Sequence, residues 1–481
     1  MTGRWLSRSV LLLLAACGGS KGDDSQLTVT VVGTPWAGGL ATALEAEATR
    51  PTLVARDSSG AIVPGLATSW RFVDGDNSLI LRLRPRQWDD GVIFSAGQVV
   101  AAFHRAQVRR EPALAHAAIA VTRAPISRVV EIRLAAASPH LLGWLSDPGL
   151  AVTRPARRSD GVEPGLASYI GSGPTEARRL LRHDEMASAV ARPAEITLTS
   201  VADPAAAIAR FTRGQADIVI GDGLAGLSEA RTVARPQTLS LDALWGVYGY
   251  VANTRSGPLR DRQLRLALSL AVDRPALGAR IGLAAMAPVD GLLPPSLRLA
   301  PAAGLDTPTE AMLAQQLLKT ARGSSATPIR LTLLLPPGRD HRVIADRVAA
   351  DWRPLGVEIV ISEADNASIA DKVRRGAFDL ALTEASLAVP DAAALLARWR
   401  CAGGLVCDAA ADALWAAAQT APLAMRPALL AAAEARWLEA PPMIPLLTPL
   451  RWALVSPGVD GWNANPSGRH PLSRLAVTMR K

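Results

Sequence analysis

The chain has 481 residues, of which 49% are hydrophobic and 20% charged. That is enough apolar material for about two to three packed domains and too much for a disordered chain. The formal charge of +9 is carried almost wholly by arginine, since lysine occurs only at Lys21, Lys319, Lys372 and Lys481. The arginines are not gathered into runs or interleaved with aromatics, which argues against a nucleic-acid partner and leaves genomic composition, an anionic membrane or acidic ligands as the meaning of the charge.

The first residues, "MTGRWLSRSVLLLLAAC", place Arg4 and Arg8 before a short apolar run and small residues before Cys17. The run falls well short of the roughly 20 apolar residues that span a bilayer, so residues 1–16 read as a secretory signal peptide. Leu14-Ala15-Ala16-Cys17 resembles the bacterial lipobox, which predicts lipidation at Cys17, and residues 17–26, with "GGSKGDDS", read as a flexible tether. The expected location is the periplasm or the cell-envelope face, anchored to membrane by lipid.

A strand, "LTVTVV", follows from Leu27, and the loop after it, "GTPWAGG", carries Trp36. In "WDDGVIF", Asp89-Asp90-Gly91 is a turn signal at a hairpin edge, with no sign of a catalytic carboxylate pair. From Glu195, "EITLTS" predicts a strand, "DPAAAIARFTRG" an Asp-capped helix closed by Gly214, and "ADIVI" a second strand. The same order returns between 329 and 382: "IRLTLLL", a helix over "DHRVIADRVAADW", "VEIVI", a helix over "NASIADKVRRG", then "FDLALT". Strands alternating with helices of this length predict parallel α/β sheets in two units. Arg213-Gly214-x-x-Asp217 and Arg375-Gly376-x-x-Asp379 occupy matching places in the two units.

"ADIVIGDGLAG" also has the outline of a dinucleotide fingerprint, with Asp242 downstream as the ribose acid. Such a fingerprint belongs on the first strand of its unit, whereas this strand is already preceded by a strand and a helix. Its counterpart after "FDLAL" is followed by no glycines. A nucleotide cofactor is therefore not expected, and secretion separates the chain from cytoplasmic nicotinamide.

Two cysteines remain beyond Cys17, at Cys401 and Cys407. In an oxidising compartment a small disulfide loop is the economical reading. A metal site would need partners, and His104, His116, His140, His183, His341 and His470 show no ligand spacing. No Gly-x-Ser-x-Gly, His-Glu-x-x-His, Ser-x-x-Lys or Walker pattern occurs, so neither enzyme activity nor a metal or other cofactor is expected.

Leu66 to Ala106, "LATSWRFVDGDNSLILRLRPRQWDDGVIFSAGQVVAAFHRA", resembles the signature region of the family 5 extracellular solute-binding proteins, the periplasmic receptors of peptide-type ABC importers. "YVANTRSGPLRDRQLRLALSLAVDRPAL", "RRGAFDLALTEASLAVPD" and "PPMIPLL" extend the resemblance from residue 27 onward. It implies an α/β, two-lobed periplasmic-binding-protein fold with an extra subdomain inserted in lobe I. Lobe I would comprise 27–48, 166–253 and 446–481, the inserted subdomain 49–165, and lobe II 254–445. Strands near "YGYVANT" and "MIPLL" would form the hinge.

The implied partners are a small-molecule or peptide-like ligand between the lobes and an ABC permease complex, for a monomeric protein. A non-transport envelope receptor or adaptor on the same fold, or a secreted hydrolase with an unrecognised site, are the alternatives. Candidate ligand contacts are Trp36, Trp245, Tyr250, Asn253, Arg339 and Glu384. Peptide-binding members of that family carry a tryptophan and an amine-pairing aspartate after the strand that matches "FDLAL". A gapless count puts Ala385 and Ala388 in those places, with Asp391 retained and Glu384 adjacent. Free di- and tripeptides are therefore expected to bind poorly, because a buried ammonium needs an anionic partner.

Overall fold

The computed structural model describes residues 26–34, 39–155, 166–183, 192–299, 307–322, 327–404 and 406–478. Its first strand, Gln26–Val32, lies between Glu195–Val201 and Ile218–Gly221, both parallel to it. Leu27, Val29 and Val31 on one face and Thr30 and Val32 on the other are buried, as a strand with both faces covered requires. The full order of this seven-stranded sheet is 239–243, 450–455, 218–221, 26–32, 195–201, 177–182, 169–172.

A five-stranded sheet has the order 357–363, 329–335, 380–386, 246–252, 443–447. The helices expected between its strands are Arg339–Trp352 and Asn366–Arg375. Asp365 caps the second through Ser368 N at 2.8 Å, and Gly376, at φ +71°, ends it in a left-handed conformation. In the other unit Asp203 caps Pro204–Thr212, and Gly214, at φ +70°, follows it.

The paired aspartates share one function. Asp217 Oδ2 accepts from Thr28 N at 2.9 Å, and Asp379 Oδ2 accepts from Thr332 N at 2.9 Å. Each carboxylate ties the entry of its strand to the neighbouring parallel strand, so the repeated motif sets strand register.

Residues 67–134 build a separate four-stranded antiparallel sheet, ordered 67–73, 78–83, 129–134, 119–126. Leu79, Leu81 and Leu83 alternate inward from one strand and meet Val99, Phe103 and Ala106 of the helix Ala96–Val108. A capping box starts that helix, and its Gln98 Oε1 also accepts from Trp88 Nε1 at 3.0 Å. Asp89-Asp90-Gly91 is a turn, with Gly91 at φ +79° and Asp90 held by Arg154 at 3.1 Å. In "RLALSLAVDR", Leu264, Leu268 and Val272 are core, and Asp273 caps the following helix through Ala276 N at 3.0 Å.

The chain changes sheet at Leu244–Trp245 and again at Thr448–Pro449. Strands Gly246–Ala252 and Met443–Leu447 therefore both belong to the five-stranded sheet. The reason is ladder continuity: both strands pair antiparallel with each other, and the first also pairs with Leu380–Ser386. The two crossings touch, Leu244 N donating to Pro449 O at 3.0 Å.

Asp379→Ala is expected to lower unfolding free energy by about 1.5–3 kcal/mol, the cost of removing a charge-assisted bond to a backbone N–H. Asp379→Asn, which keeps an acceptor oxygen, should lose less; urea denaturation measures both.

Candidate ligand-binding site

The C-terminal end of strand Leu380–Ser386 meets the seven-stranded sheet across a seam. Glu384 stands opposite Tyr248 in the ladder and faces Gly223, where an added Cβ would lie 2.6 Å from Glu384 Oε1. Protein surrounds the carboxyl while leaving it some accessible surface, as expected of a group lining an interlobe space. Burial, with Asp222 adding to it and Arg451 opposing, pushes its pKa up to about 8. Arg451 is itself paired with Asp222 at 3.1 Å.

Further contacts close the seam. Ser228 N donates to Asp340 Oδ2 at 3.0 Å, linking the helix Leu227–Val233 to the start of Arg339–Trp352. Tyr248 Oη lies 3.1 Å from His341 Nδ1. Burial lowers the imidazole pKa to about 4 and raises the phenol, so both groups are neutral and the ring's tautomer sets which of them donates. Trp144 Nε1 of the inserted subdomain donates to Asp391 Oδ2 at 3.0 Å, and Val389 and Ala394 pack into that subdomain's core. Beneath Ala388 and Val389 lies a cavity of about 310 Å³, walled by residues 47–66, 84–86, 143–148, 166–168, 192 and 469–474.

The glycine motif serves this packing. A Cβ on Gly221 would lie 2.1 Å from the Trp452 ring, and one on Gly226 would lie 2.5 Å from Pro204 Cβ. Asp242 is buried, accepting from Asn465 N at 2.9 Å and meeting His470 Nε2 at 2.7 Å. The places that a pyrophosphate and a ribose would take are filled by Trp452, Glu384 and His470.

Of the expected contacts, Trp245 and Glu384 lie at the seam. Trp245 is half-buried in the first crossing, its N–H donating to Pro466 O at 3.1 Å and its carbonyl accepting from Leu387 N at 3.0 Å. Tyr250 and Asn253 instead belong to the interior. Tyr250 packs in the main core, enclosed by the strand's own neighbours. Asn253 spends its amide on Ser256 Oγ and the carbonyls of Gly376 and Phe378, at 2.8, 3.0 and 2.8 Å, as a brace between loops. Arg339 is exposed in the first turn of its helix. Cys401 and Cys407 are joined in a disulfide. Trp36 and Cys17 lie outside the described residues.

The cavity's arginines went unmarked in the sequence because Arg56, Arg84 and Arg474 are separated along the chain and converge only in the fold. The model of the bacterial extracellular solute-binding proteins, family 5 Middle, matches residues 61–405. The chain belongs to this family.

Among its relatives, the periplasmic murein peptide-binding protein MppA of Escherichia coli K12 is 23% identical over 371 residues, 68% of either chain. The solved structure of the E. coli murein tripeptide binding protein MppA superposes with a TM-score of 0.83 at 20% identity, covering 95% of this chain and 99% of that one. Haemophilus influenzae OppA in complex with RPPGFSPFR gives 0.82 at 17% identity, covering 95% and 99%. AgaA in complex with agropinic acid, from A. tumefaciens R10, gives 0.76 at 19% identity, with the same coverage. The two-lobed periplasmic binding fold is thereby shown for this family member, and its ligand is left to the residues of the cleft.

Glu384 predicts a pH dependence. Its carboxyl takes up its proton at about 8 in this closed arrangement against an ordinary 4.5, so its share of stability is fully present below 4.5 and is lost as pH rises towards 8. The melting temperature of Glu384→Gln should therefore match the parent near pH 4.5 and exceed it increasingly towards pH 9. Gly223→Ala, at φ +78° and against Glu384, should cost about 1–2 kcal/mol in urea denaturation, without revealing any NAD or FAD binding in the parent.

Proposed function

We propose that this chain is the substrate-binding component of an ABC importer, taking a peptide-like or other small organic solute between its lobes and presenting the closed form to a membrane permease. One observation carries the reading: two α/β units meet at adjacent crossings, and the second unit's loop around Asp391 is seated on the inserted subdomain through Trp144. Opening would break Trp144–Asp391 and Ser228–Asp340 while leaving every ladder hydrogen bond intact. A ligand that bridges the lobes favours the closed state by its differential affinity, and closure is what a permease can read.

Lobe I is taken as the seven-stranded sheet and its helices, lobe II as the five-stranded sheet and its helices, with the four-stranded subdomain set into lobe I. MppA, whose name specifies a murein peptide, and OppA, whose structure holds RPPGFSPFR, support a peptide-like ligand. AgaA, whose structure holds agropinic acid, supports a wider range of organic solutes on the same scaffold. The periplasmic relative and the family's extracellular character agree with a chain carried across the inner membrane. The Leu14-Ala15-Ala16-Cys17 motif supports a tether by lipid at Cys17.

Small-angle scattering with and without a binding solute tests the central reading: the radius of gyration should fall on saturation, and a bound ligand with no compaction would contradict it. Trp144→Phe removes the hydrogen bond that seats the loop and should weaken binding by about tenfold, with a larger radius for the free protein. Cys17→Ser should abolish lipid labelling and release the protein from membranes in fractionation.

A further inference from the structure

The cavity beneath Ala388 and Val389 has an uneven charge. Seven of its lining residues are arginines and two are acids. Both acids pair with one arginine, Glu47 through Oε1 and Asp147 through Oδ2 at 3.4 Å each meeting Arg469, while Glu47 Oε2 is buried without a hydrogen-bond partner. Among the described residues no carboxylate forms an ion pair with Arg56, Arg84 or Arg474.

Those three are not placed as a fold would place them for structure alone. Arg56 is nine-tenths buried, donates Nη1 to Gly60 O at 2.9 Å, and keeps a buried Nη2 with no partner. Gly143 makes room for Val389 beside it, since a Cβ there would stand 3.0 Å from Val389 Cγ1. Arg84 Nε is likewise buried and without a partner. Arg474 is depressed in pKa by burial and then by the charges of Arg192 and Arg84, against an opposing Asp57. Arg56 is lowered to about 10 by burial and then by Arg469, against Glu47 and Asp147. Arg56 and Arg474, lowered by burial first and by neighbouring guanidiniums next, stand with Arg84 around one cavity in which Arg56 and Arg84 keep buried donors unspent, the arrangement that a shared anion would satisfy.

Building on solute capture as proposed above, we infer that this cavity is a subsite for a multiply charged anionic group, two or more carboxylates or a phosphate, held by Arg56, Arg84 and Arg474. Planar guanidinium forks match both groups in bidentate geometry. The cavity is closed from the second lobe by Ala388 and Val389, which bring no charge. An alanine in that place leaves the arginine field uncancelled, so the end of the ligand lying here is an anion and not an ammonium. The anion's charge would also draw the lobes together, because it relieves repulsion only when the cavity is enclosed.

Calorimetric titration of the purified chain tests this, using citrate, inorganic pyrophosphate and N-acetyl-Glu-Glu beside the neutral N-acetyl-Gln-Gln and the cationic Lys-Lys. At least one anionic probe should bind saturably, citrate and the acidic peptide reporting carboxylate recognition and pyrophosphate the phosphate alternative. Its affinity should fall with added salt, and should weaken by about tenfold or more in Arg474→Gln and in Arg84→Gln. Without ligand, both variants should melt above the parent, because a repelling charge has been removed; a purely structural arginine would give the reverse. Arg474, whose side-chain nitrogens are not among the buried unpartnered atoms, keeps the test decisive if Arg84→Gln does not fold.

Anionic binding unchanged in both variants would overturn the assignment, as would failure of every anionic probe. Saturable binding of only the neutral or cationic peptide, with compaction, would overturn the subsite and leave solute capture standing. Absence of binding and compaction with every probe would count against both.

Discussion

The two crossings between the sheets are the constraint on which the rest of the molecule depends. Leu244–Trp245 and Thr448–Pro449 run side by side, joined by the bond from Leu244 N to Pro449 O. Each sheet is a continuous ladder, so the proposed opening would be confined to the few φ/ψ angles in these segments. The polar groups at the seam take their character from the closed position of this hinge. Glu384 has a carboxylate's ordinary surroundings only if the lobes part; closed, it faces Gly223 and the Asp222–Arg451 pair and retains its proton to about 8. The hinge thus decides which charges are buried together.

Buried arginine is used in two contrasting ways. Arg265 donates to the carbonyls of Pro441, Leu259 and Ala440 at 2.9, 2.8 and 3.1 Å, and Arg274 reaches Val289 O, Pro445 O and Ser269 Oγ at 2.9, 3.0 and 3.1 Å. These guanidiniums satisfy loop carbonyls and lock the helices after the first crossing onto strand Met443–Leu447. The fold can therefore supply partners to a buried guanidinium where its role is structural. Around the cavity under Ala388 it does so only in part: Arg56 reaches Gly60 O at 2.9 Å, while Arg56 Nη2 and Arg84 Nε stay unspent. In the proposed reading that difference separates a brace from a receptor.

The same separation applies to small residues. Gly221, Gly223 and Gly226 look in sequence like a cradle for phosphate, yet their missing side chains admit Trp452, Glu384 and Pro204. Close approach by a backbone is required in both cases, which is why the pattern alone cannot distinguish them. Direction of approach separates them: the space beside the motif is occupied by the opposite lobe and by the neighbouring strand.

Local chemistry determined a good deal. Apolar runs alternating with capped helices predict both α/β units, since burial of both sheet faces demands continuous apolar strands and since Asp before and Gly after a helix serve its unpaired ends. Asp217 and Asp379 are legible as equivalent because each acts on a strand held at a fixed offset by the same turn. The family resemblance was legible too, being carried by ordered stretches of chain. Tertiary structure alone decided which residues face the cleft. Tyr250 and Asn253 sit on or beside a strand at the hinge, but its faces are taken by the core and by neighbouring carbonyls. The arginines of the cavity come from near residues 56, 84, 192 and 474, separated by stretches whose path depends on the inserted subdomain folding back against lobe I. No periodicity along the chain records that convergence, because it results from the packing of whole sheets and not from the preference of any one segment.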